Sequence, residues 1–128
     1  MARIEHFAVF AQDATALKNF YVQSFGMKVV LESGGDPPGF FLADDQGVAL
    51  EIIGRPAGQS NVNQRWVCHV AFWVDDVPAT QAELERQGLV FETETAVDNE
   101  AVKTAFFRDP EGNRCQIIWR RRRLGESA

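Results

Sequence analysis

Four polar side chains stand out because each lies on a strand face that is otherwise apolar. His6 and His69 are the two histidines of the chain, and each belongs to an alternating strand pattern. Glu51 and Gln116 lie in two later strand patterns, 45 and 47 residues after those histidines. Two imidazoles, one carboxylate and one amide oxygen make a mixed nitrogen and oxygen ligand set. Such a set predicts one divalent metal ion per site, Zn, Ni, Co, Fe or Mn, rather than Ca or Mg.

The four residues occupy equivalent places in an internal repeat. The stretch "RIEHFAVFAQDATALKNFYVQSFGMKVV" aligns with "WVCHVAFWVDDVPATQAELERQGLVFE", which places His6 over His69. The stretch "FFLADDQGVALEII" aligns with "FFRDPEGNRCQII", which places Glu51 over Gln116. Matching order and matching separation favour a twofold repeat over a chance similarity.

The repeat boundaries follow from the same alignment and predict a single domain over residues 1–128. Repeat one covers about 3–54 and repeat two about 65–119. A polar segment rich in Gly, Pro and Asn, about 55–64, reads as the linker between them. The last residues, 120–128, form a C-terminal tail whose Arg120–Arg123 run is interpreted as a solvated cationic stretch.

Hydrophobic periodicity predicts the element order βαβββ twice. Helices are predicted at about Ala14–Phe25 and Val77–Gln87, capped by Asp13 and by Asp75 or Asp76, with Gly26 ending the first. Strands are predicted at about Arg3–Phe10, Lys28–Glu32, Phe40–Ala43, Val48–Ile53, Trp66–Val74, Leu89–Thr93, Lys103–Arg108 and Arg114–Trp119. This order predicts an α+β fold with a curved, mostly antiparallel sheet and helices outside it.

Composition narrows the class of protein. The 128 residues carry a formal net charge of −5 and are 45% hydrophobic, which suits a globular domain and disfavours nucleic acid as a partner. No apolar run has the length of about 20 residues that a membrane span needs. The N-terminus lacks a signal-peptide pattern, so we expect a cytoplasmic protein. Cys68 and Cys115 are expected to be reduced and buried.

Each of the four polar residues has a plainer interpretation when it is taken alone. A strand histidine is more often a hydrogen-bonded residue than a ligand, Glu51 could be exposed at a sheet edge, and Gln116 could lie on the surface. The metal hypothesis is favoured because the repeat places both histidines at equivalent positions. If the four side chains line one cleft, they must satisfy each other, a metal or water.

The segments "HFAVFAQDATALKNFYVQSFGMKV", "HVAFWVDDV" and "DPEGNRCQII" resemble the vicinal-oxygen-chelate superfamily. That group includes glyoxalase I, bleomycin-resistance proteins, extradiol dioxygenases, fosfomycin-resistance transferases and methylmalonyl-CoA epimerase. The resemblance covers about Arg3 to Trp119. It implies a cup built from two βαβββ units, often across a homodimer, and metal ligands on the first and last strands of each unit. Those positions are again His6, Glu51, His69 and Gln116.

One departure from glyoxalase I concerns the base. Glyoxalase I has Glu where this chain has Gln116, and that Glu moves a proton between adjacent carbons. An amide oxygen can bind a metal but cannot take a proton at neutral pH. Glu51 is therefore predicted to be both a ligand and the catalytic base. The predicted activity is a metal-dependent lyase or isomerase acting on a small substrate with two adjacent oxygens.

Substrate-binding candidates and two other functions complete the predictions. Phe10 and Trp73 are candidates for an aromatic wall, and Arg108 for an anion anchor, although Arg108 could simply pair with Asp109. A first alternative is a bleomycin-resistance-type protein that binds a drug without catalysis. A second is a ring-cleaving dioxygenase, whose usual carboxylate on the last strand is missing here. A structural or regulatory domain is a third.

Overall fold

The structure is a computed structural model, and it describes residues 5–55, 69–122 and 124. The chain divides into two compact units. Unit 1 comprises Met1–Asn63 with Pro110–Asn113, and unit 2 comprises Gln64–Asp109 with Arg114–Ala128. The short turn Pro110–Asn113 thus belongs to unit 1, although it joins two strands of unit 2.

Unit 1 contains four strands and one helix in the order βαβββ. The elements are β1 (His6–Ala11), α1 (Ala14–Phe25), β2 (Lys28–Ser33), β3 (Gly39–Ala43) and β4 (Ala49–Gly54). The sheet order is β1-β4-β3-β2. The β1–β4 pair is parallel and the other two pairs are antiparallel, so the sheet is mixed.

Helix α1 begins and ends at the residues that the sequence indicates. The Asp13 side chain accepts a hydrogen bond from the Ala16 amide at 2.9 Å, which satisfies a free donor of the first turn. Gly26 adopts the left-handed conformation, with φ +66°, and its amide donates to the Val22 carbonyl. A glycine takes this conformation without a side-chain penalty, and the helix therefore stops there.

The core of unit 1 lies between α1 and one face of the sheet. Leu17 and Tyr21 of α1 are fully buried, and the helix packs on β3 and β4. Leu50 and Ile52 of β4 are also buried. Because side chains alternate along a strand, Glu51 points to the opposite face. That opposite face is called the site face below.

Unit 2 has the same order of strands and helix as unit 1, but the strands at the two edges of its sheet are shorter. Its elements are β5 (Val70–Trp73), α2 (Val77–Arg86), β6 (Val97–Asp98), β7 (Val102–Arg108) and β8 (Arg114–Arg120). The sheet order is β5-β8-β7-β6, again with one parallel pair, β5–β8. Asp76 caps α2, and Leu84 packs over the buried residues Phe107, Cys115 and Ile117. The predicted α+β fold of two βαβββ repeats is confirmed.

The predicted strand at about Leu89–Thr93 is wrong. Only Phe91 forms an isolated bridge there, to Phe107, and the short strand β6 forms later instead. The Thr95 hydroxyl donates to the Glu92 carboxylate at 2.8 Å and closes a turn directly after that bridge. The turn leads the chain away from β7 before a ladder can extend.

Some predictions fall outside the described residues. They concern strand residues 3–4 and 66–68, linker residues 56–64, Cys68 and most of the tail. Cys115 is buried, as expected. Neither helix in the described part of the chain is long and apolar enough to cross a membrane.

Candidate metal site

His6 and Glu51 lie close together on the site face of unit 1. The parallel register of β1 and β4 pairs Ala8 with Glu51, so the histidine two residues earlier lies on the same face. The Nε2 atom of His6 is 3.5 Å from Oε1 of Glu51. Both side chains are partly exposed, which leaves them accessible to an ion or a substrate. Two of the four predicted ligands are thereby brought together.

Glu5 is a neighbour that the sequence predictions missed. Its Oε1 is 2.9 Å from Nδ1 of His6, on the far side of the ring from Glu51. An ionised carboxylate only accepts hydrogen bonds, so Nδ1 must carry the proton of this contact. Metal-binding histidines are commonly oriented in this way, by a carboxylate on the second ring nitrogen. The available signal was a carboxylate adjacent in sequence to a candidate ligand.

The protonation of His6 has a consequence for the opposite side of its ring. In the neutral ring with a proton on Nδ1, the Nε2 atom carries a lone pair and faces an oxygen of Glu51. Two acceptors at this distance repel each other unless a cation lies with them. A proton on Nε2 or a metal ion could supply that charge. The donor chemistry of the pair therefore fits a cation site.

His69 and Gln116 occupy the equivalent places in unit 2. The β5–β8 register pairs Ala71 with Gln116, and His69 again lies two residues before the paired alanine. The His69 ring lies edge-on to Phe106, with centroids 5.0 Å apart and planes at 83°. Phe106 is itself the cross-strand partner of Gln116.

The same contact exists in unit 1. The His6 ring lies edge-on to Phe41, with centroids 5.5 Å apart and planes at 82°, and Phe41 is the cross-strand partner of Glu51. Each histidine thus rests against the aromatic side chain that pairs with the second predicted ligand. The internal equivalence inferred from sequence extends to the orientation of the rings.

Arg114 and Glu92 form a buried ion pair beside Gln116. The Arg114 Nε and one terminal nitrogen donate to the two carboxylate oxygens of Glu92 at 2.9 and 3.0 Å. The guanidinium lies 3.9 Å from the centroid of Phe106, the ring that supports His69. Arg114 is only 5% exposed. Alternation placed Arg114 on the face of Gln116, but nothing local indicated its partner 22 residues away.

Two loop side chains hold the end of β1. Glu111 accepts from the amides of Gln12 and Asp13 at 2.8 and 3.1 Å. Asn113 donates to the Phe10 carbonyl at 3.0 Å and accepts from the Phe10 amide at 3.4 Å. The sequence indicated only a turn here. These contacts fix the backbone of the strand that carries His6.

The predicted substrate-binding residues occupy different surroundings. Phe10 and Trp73 each lie four residues after a histidine and are 46% and 40% exposed, as a wall residue would be. Arg108 lies at the end of β7, opposite Arg114 in the register. It lines a depression of about 540 Å³ in unit 2, together with Gly88, Leu89, Val90, Phe91, Glu92, Glu94 and Asp109. A role in substrate binding stays a prediction for all three.

No group of three or more His, Cys, Asp or Glu side chains spaced for a metal ion occurs among the residues that the structure describes. Each unit by itself supplies one histidine and one further ligand. The centre with four ligands, His6, Glu51, His69 and Gln116, therefore stays a prediction.

Comparison with known proteins decides the family. The sequence model of the glyoxalase/bleomycin resistance protein/dioxygenase superfamily matches residues 3–117. The chain belongs to this superfamily. The match spans both repeats of the glyoxalase-like fold and confirms the resemblance inferred from the strand and turn motifs.

Relatives of this superfamily member cover nearly its whole length. The uncharacterized protein YaeR of Escherichia coli (strain K12) is 28% identical over 119 residues, which cover 88% of this chain and 92% of YaeR. A glyoxalase family protein from Enterococcus faecalis is 29% identical with a TM-score of 0.68, covering 91% of this chain and 97% of that one.

A third relative contains a metal. The fosfomycin resistance protein FosX from Listeria monocytogenes was solved with Mn(II) and a sulfate ion. It has a TM-score of 0.72 and covers 91% of this chain and 89% of its own. At 14% identity the similarity concerns the fold alone.

Proposed function

We propose that this chain is a metal-dependent lyase or isomerase of the glyoxalase type, acting on a small substrate with two adjacent oxygens. The observation that supports it most directly is the pair His6 and Glu51. Nε2 of His6 and Oε1 of Glu51 are 3.5 Å apart, and the Glu5 carboxylate contacts the other ring nitrogen at 2.9 Å. This is the arrangement in which a bound cation removes a repulsion and gains a preoriented ligand pair.

The remaining two ligands are assigned to His69 and Gln116. They have the same strand positions and the same aromatic support as the first pair. Two imidazoles, one carboxylate and one amide oxygen suit Zn, Ni, Co, Fe or Mn. With a single carboxylate in the set, a bound divalent ion keeps a net positive charge.

A divalent ion held by these residues would polarise two adjacent oxygens of a substrate and stabilise negative charge that develops on them. The proton then has one acceptor in the set, the carboxylate of Glu51, because the amide of Gln116 cannot take it. Phe10 and Trp73 would cover the substrate and exclude water. The reaction class is proton transfer between neighbouring carbons.

Metal titration tests whether the protein binds a divalent metal ion, which the proposal requires. Protein stripped with EDTA and then dialysed is expected to take up one Mn(II) per chain, measured by calorimetry and by elemental analysis. One ligand set per chain gives this stoichiometry whether the cup forms within one chain or between two. Absence of uptake for Mn(II), Zn(II), Ni(II) and Co(II) would contradict the proposal.

Glu5→Gln is expected to weaken Mn(II) binding about tenfold, because residues that orient a ligand typically change metal affinity by 10–100-fold and Glu5 is exposed. The measurement is calorimetric titration, with the ¹⁵N chemical shifts of the His6 ring reporting its tautomer. Glu100→Gln removes an exposed carboxylate of unit 2 and is the matched control. Unchanged affinity together with an unchanged tautomer would remove Glu5 from the site.

Drug binding without catalysis is the second candidate. The exposed aromatic side chains of Phe10 and Trp73 favour it, because planar ligands stack on such rings. Quenching of tryptophan fluorescence by a planar drug, unchanged in EDTA, would support a binding protein over a metal enzyme. A homodimer is proposed on the resemblance alone, and light scattering checks it. The cytoplasmic location stays a prediction.

A further inference from the structure

Strand β2 exposes three consecutive aliphatic side chains at the edge of the unit 1 sheet. Val30 and Leu31 are each 59% exposed and Val29 is 38% exposed. The strand is the last in the order β1-β4-β3-β2, so among the described residues of the unit 1 sheet one of its long sides has no strand partner. Adjacent aliphatic residues at a sheet edge are unfavourable in water and indicate a surface that something covers.

A β-bulge at Val30 decides where these side chains point. Val29 pairs with Leu42 and Leu31 with Phe41, so Val30 is the additional residue. In a bulge two residues of one strand oppose one residue of the partner, and here Val30 and Leu31 both oppose Phe41. Bulges redirect side chains and occur frequently beside active sites.

The redirected side chain changes the chemistry of the site face. Phe41 is the cross-strand partner of Glu51 and the ring against which His6 rests. Leu31, paired with Phe41, therefore lies on the site face. Glu32 pairs with the buried Phe40 and is turned to the other face. Without the bulge, Leu31 would lie on the opposite face of the sheet, and the Glu32 carboxylate would lie on the site face.

We propose that Val30 and Leu31 form the apolar wall of a substrate subsite, and that the substrate carries an alkyl or aromatic group beside its two adjacent oxygens. The inference rests on the proposed function, because the oxygens are those that the metal would hold at His6 and Glu51. It adds the chemical class of the substrate group that the metal does not hold. A charged tripeptide such as glutathione would gain nothing from this wall.

The distance between the wall and the ligand pair fits a group of moderate length. Leu31 lies two strands from Glu51, and neighbouring strands are about 4.8 Å apart, so the separation is roughly 10 Å. An extended chain of about eight carbons has a comparable length, given single bonds of about 1.5 Å. Phe41 lies between Leu31 and Glu51 and would contact such an alkyl chain.

Two hydroxamates that differ only in their alkyl tails test the subsite. Acetohydroxamate and octanohydroxamate both present two adjacent oxygens to a metal, and their affinity for the Mn(II)-loaded protein is measured by calorimetry. Octanohydroxamate is expected to bind about 60-fold more tightly, the effect of burying roughly three methylene groups. Leu31→Glu is expected to reduce this ratio to below about threefold.

Val97→Glu is the matched control, because Val97 is an aliphatic residue of the edge strand β6 in unit 2 and is 40% exposed. It should keep the wild-type ratio. Leu31→Ala removes part of the wall without adding charge and should give an intermediate ratio, which guards against a folding defect of the Glu variant.

The outcomes separate this inference from the proposed function. Equal affinity of the loaded wild-type protein for the two hydroxamates would overturn the apolar subsite and leave the metal proposal standing. A protein that takes up no metal would overturn both. If Leu31→Glu changes the mass measured by light scattering but not the hydroxamate ratio, β2 is an interface between copies of the chain, and the subsite is wrong.

Discussion

Glu51→Ala is expected to weaken Mn(II) binding by on the order of 100-fold or more, because it removes the only negative charge of the proposed ligand set. Opposite unit charges about 4 Å apart attract each other by about 4 kcal/mol at an effective dielectric constant of 20, and desolvation offsets part of that gain. His6, His69 and Gln116 would remain as neutral ligands. Calorimetric titration of the stripped variant measures the loss.

Two further variants show whether the loss is specific to the site. Glu32→Ala removes a carboxylate from the same unit but from the other face of the sheet, and its Mn(II) affinity should equal that of the wild type. Glu51→Gln keeps a ligand oxygen and should fall between the two. A Glu51→Ala protein that is folded and binds Mn(II) as tightly as the wild type would place the ion elsewhere.

Glu92→Ala is expected to lower the free energy of unfolding by about 3 kcal/mol. The variant removes the opposite charge from the buried Arg114 guanidinium, and breaking a buried ion pair from one side typically costs about 3–5 kcal/mol. We expect the lower end of this energy range because the Glu92 side chain is 20% exposed. Urea denaturation followed by circular dichroism gives the value.

Glu83→Ala is the control for that prediction, since it removes the same type of contact from the protein surface. Glu83 accepts from Nε of Arg86 at 2.9 Å, and this hydrogen bond and the adjacent positive charge lower the pKa of its carboxyl. The pair is fully hydrated, so its removal should leave the free energy of unfolding nearly unchanged. Similar losses in both variants would show that the buried pair contributes no more than a surface pair.

The Mn(II) affinity of Glu92→Ala is a second measurement, which shows whether the ion pair also supports the His69 ring. Arg114 lies against Phe106, and Phe106 supports the His69 ring. Movement of that ring should weaken metal binding modestly in Glu92→Ala and not in Glu83→Ala.

Local sequence signals were sufficient for the elements of unit 1 and for the faces of β1 and β4. The bounds of α1 follow from Asp13 and Gly26, whose cap geometry depends on neighbours within one turn. The face of Glu51 follows from the alternation with Leu50 and Ile52. The repeat alignment then transferred the same assignment to Gln116, and the parallel register of β5 with β8 matches that of β1 with β4.

Contacts between distant residues could not be predicted in this way. Glu111 binds the amide of Gln12, 99 residues away, and no periodic pattern indicates such a partner. The bulge at Val30 depends on how β3 pairs, since "KVVLES" alternates no differently from an unbroken strand. The turn that ends the ladder after Phe91 depends on a Thr95 hydroxyl reaching back to Glu92. In the first two cases the deciding partner lies outside the local sequence, whereas Thr95 and Glu92 are three residues apart and their contact was missed.

The membership of Pro110–Asn113 in unit 1 has a consequence for the separability of the two repeats. A gene fragment that ends in the linker would encode the first repeat without Glu111 and Asn113. The amides of Gln12 and Asp13, and the backbone of Phe10, would lose their side-chain partners. One repeat therefore does not equal one autonomous folding module. The first repeat produced alone is therefore expected to be less stable than in the whole chain, and addition of the second fragment should restore the lost contacts.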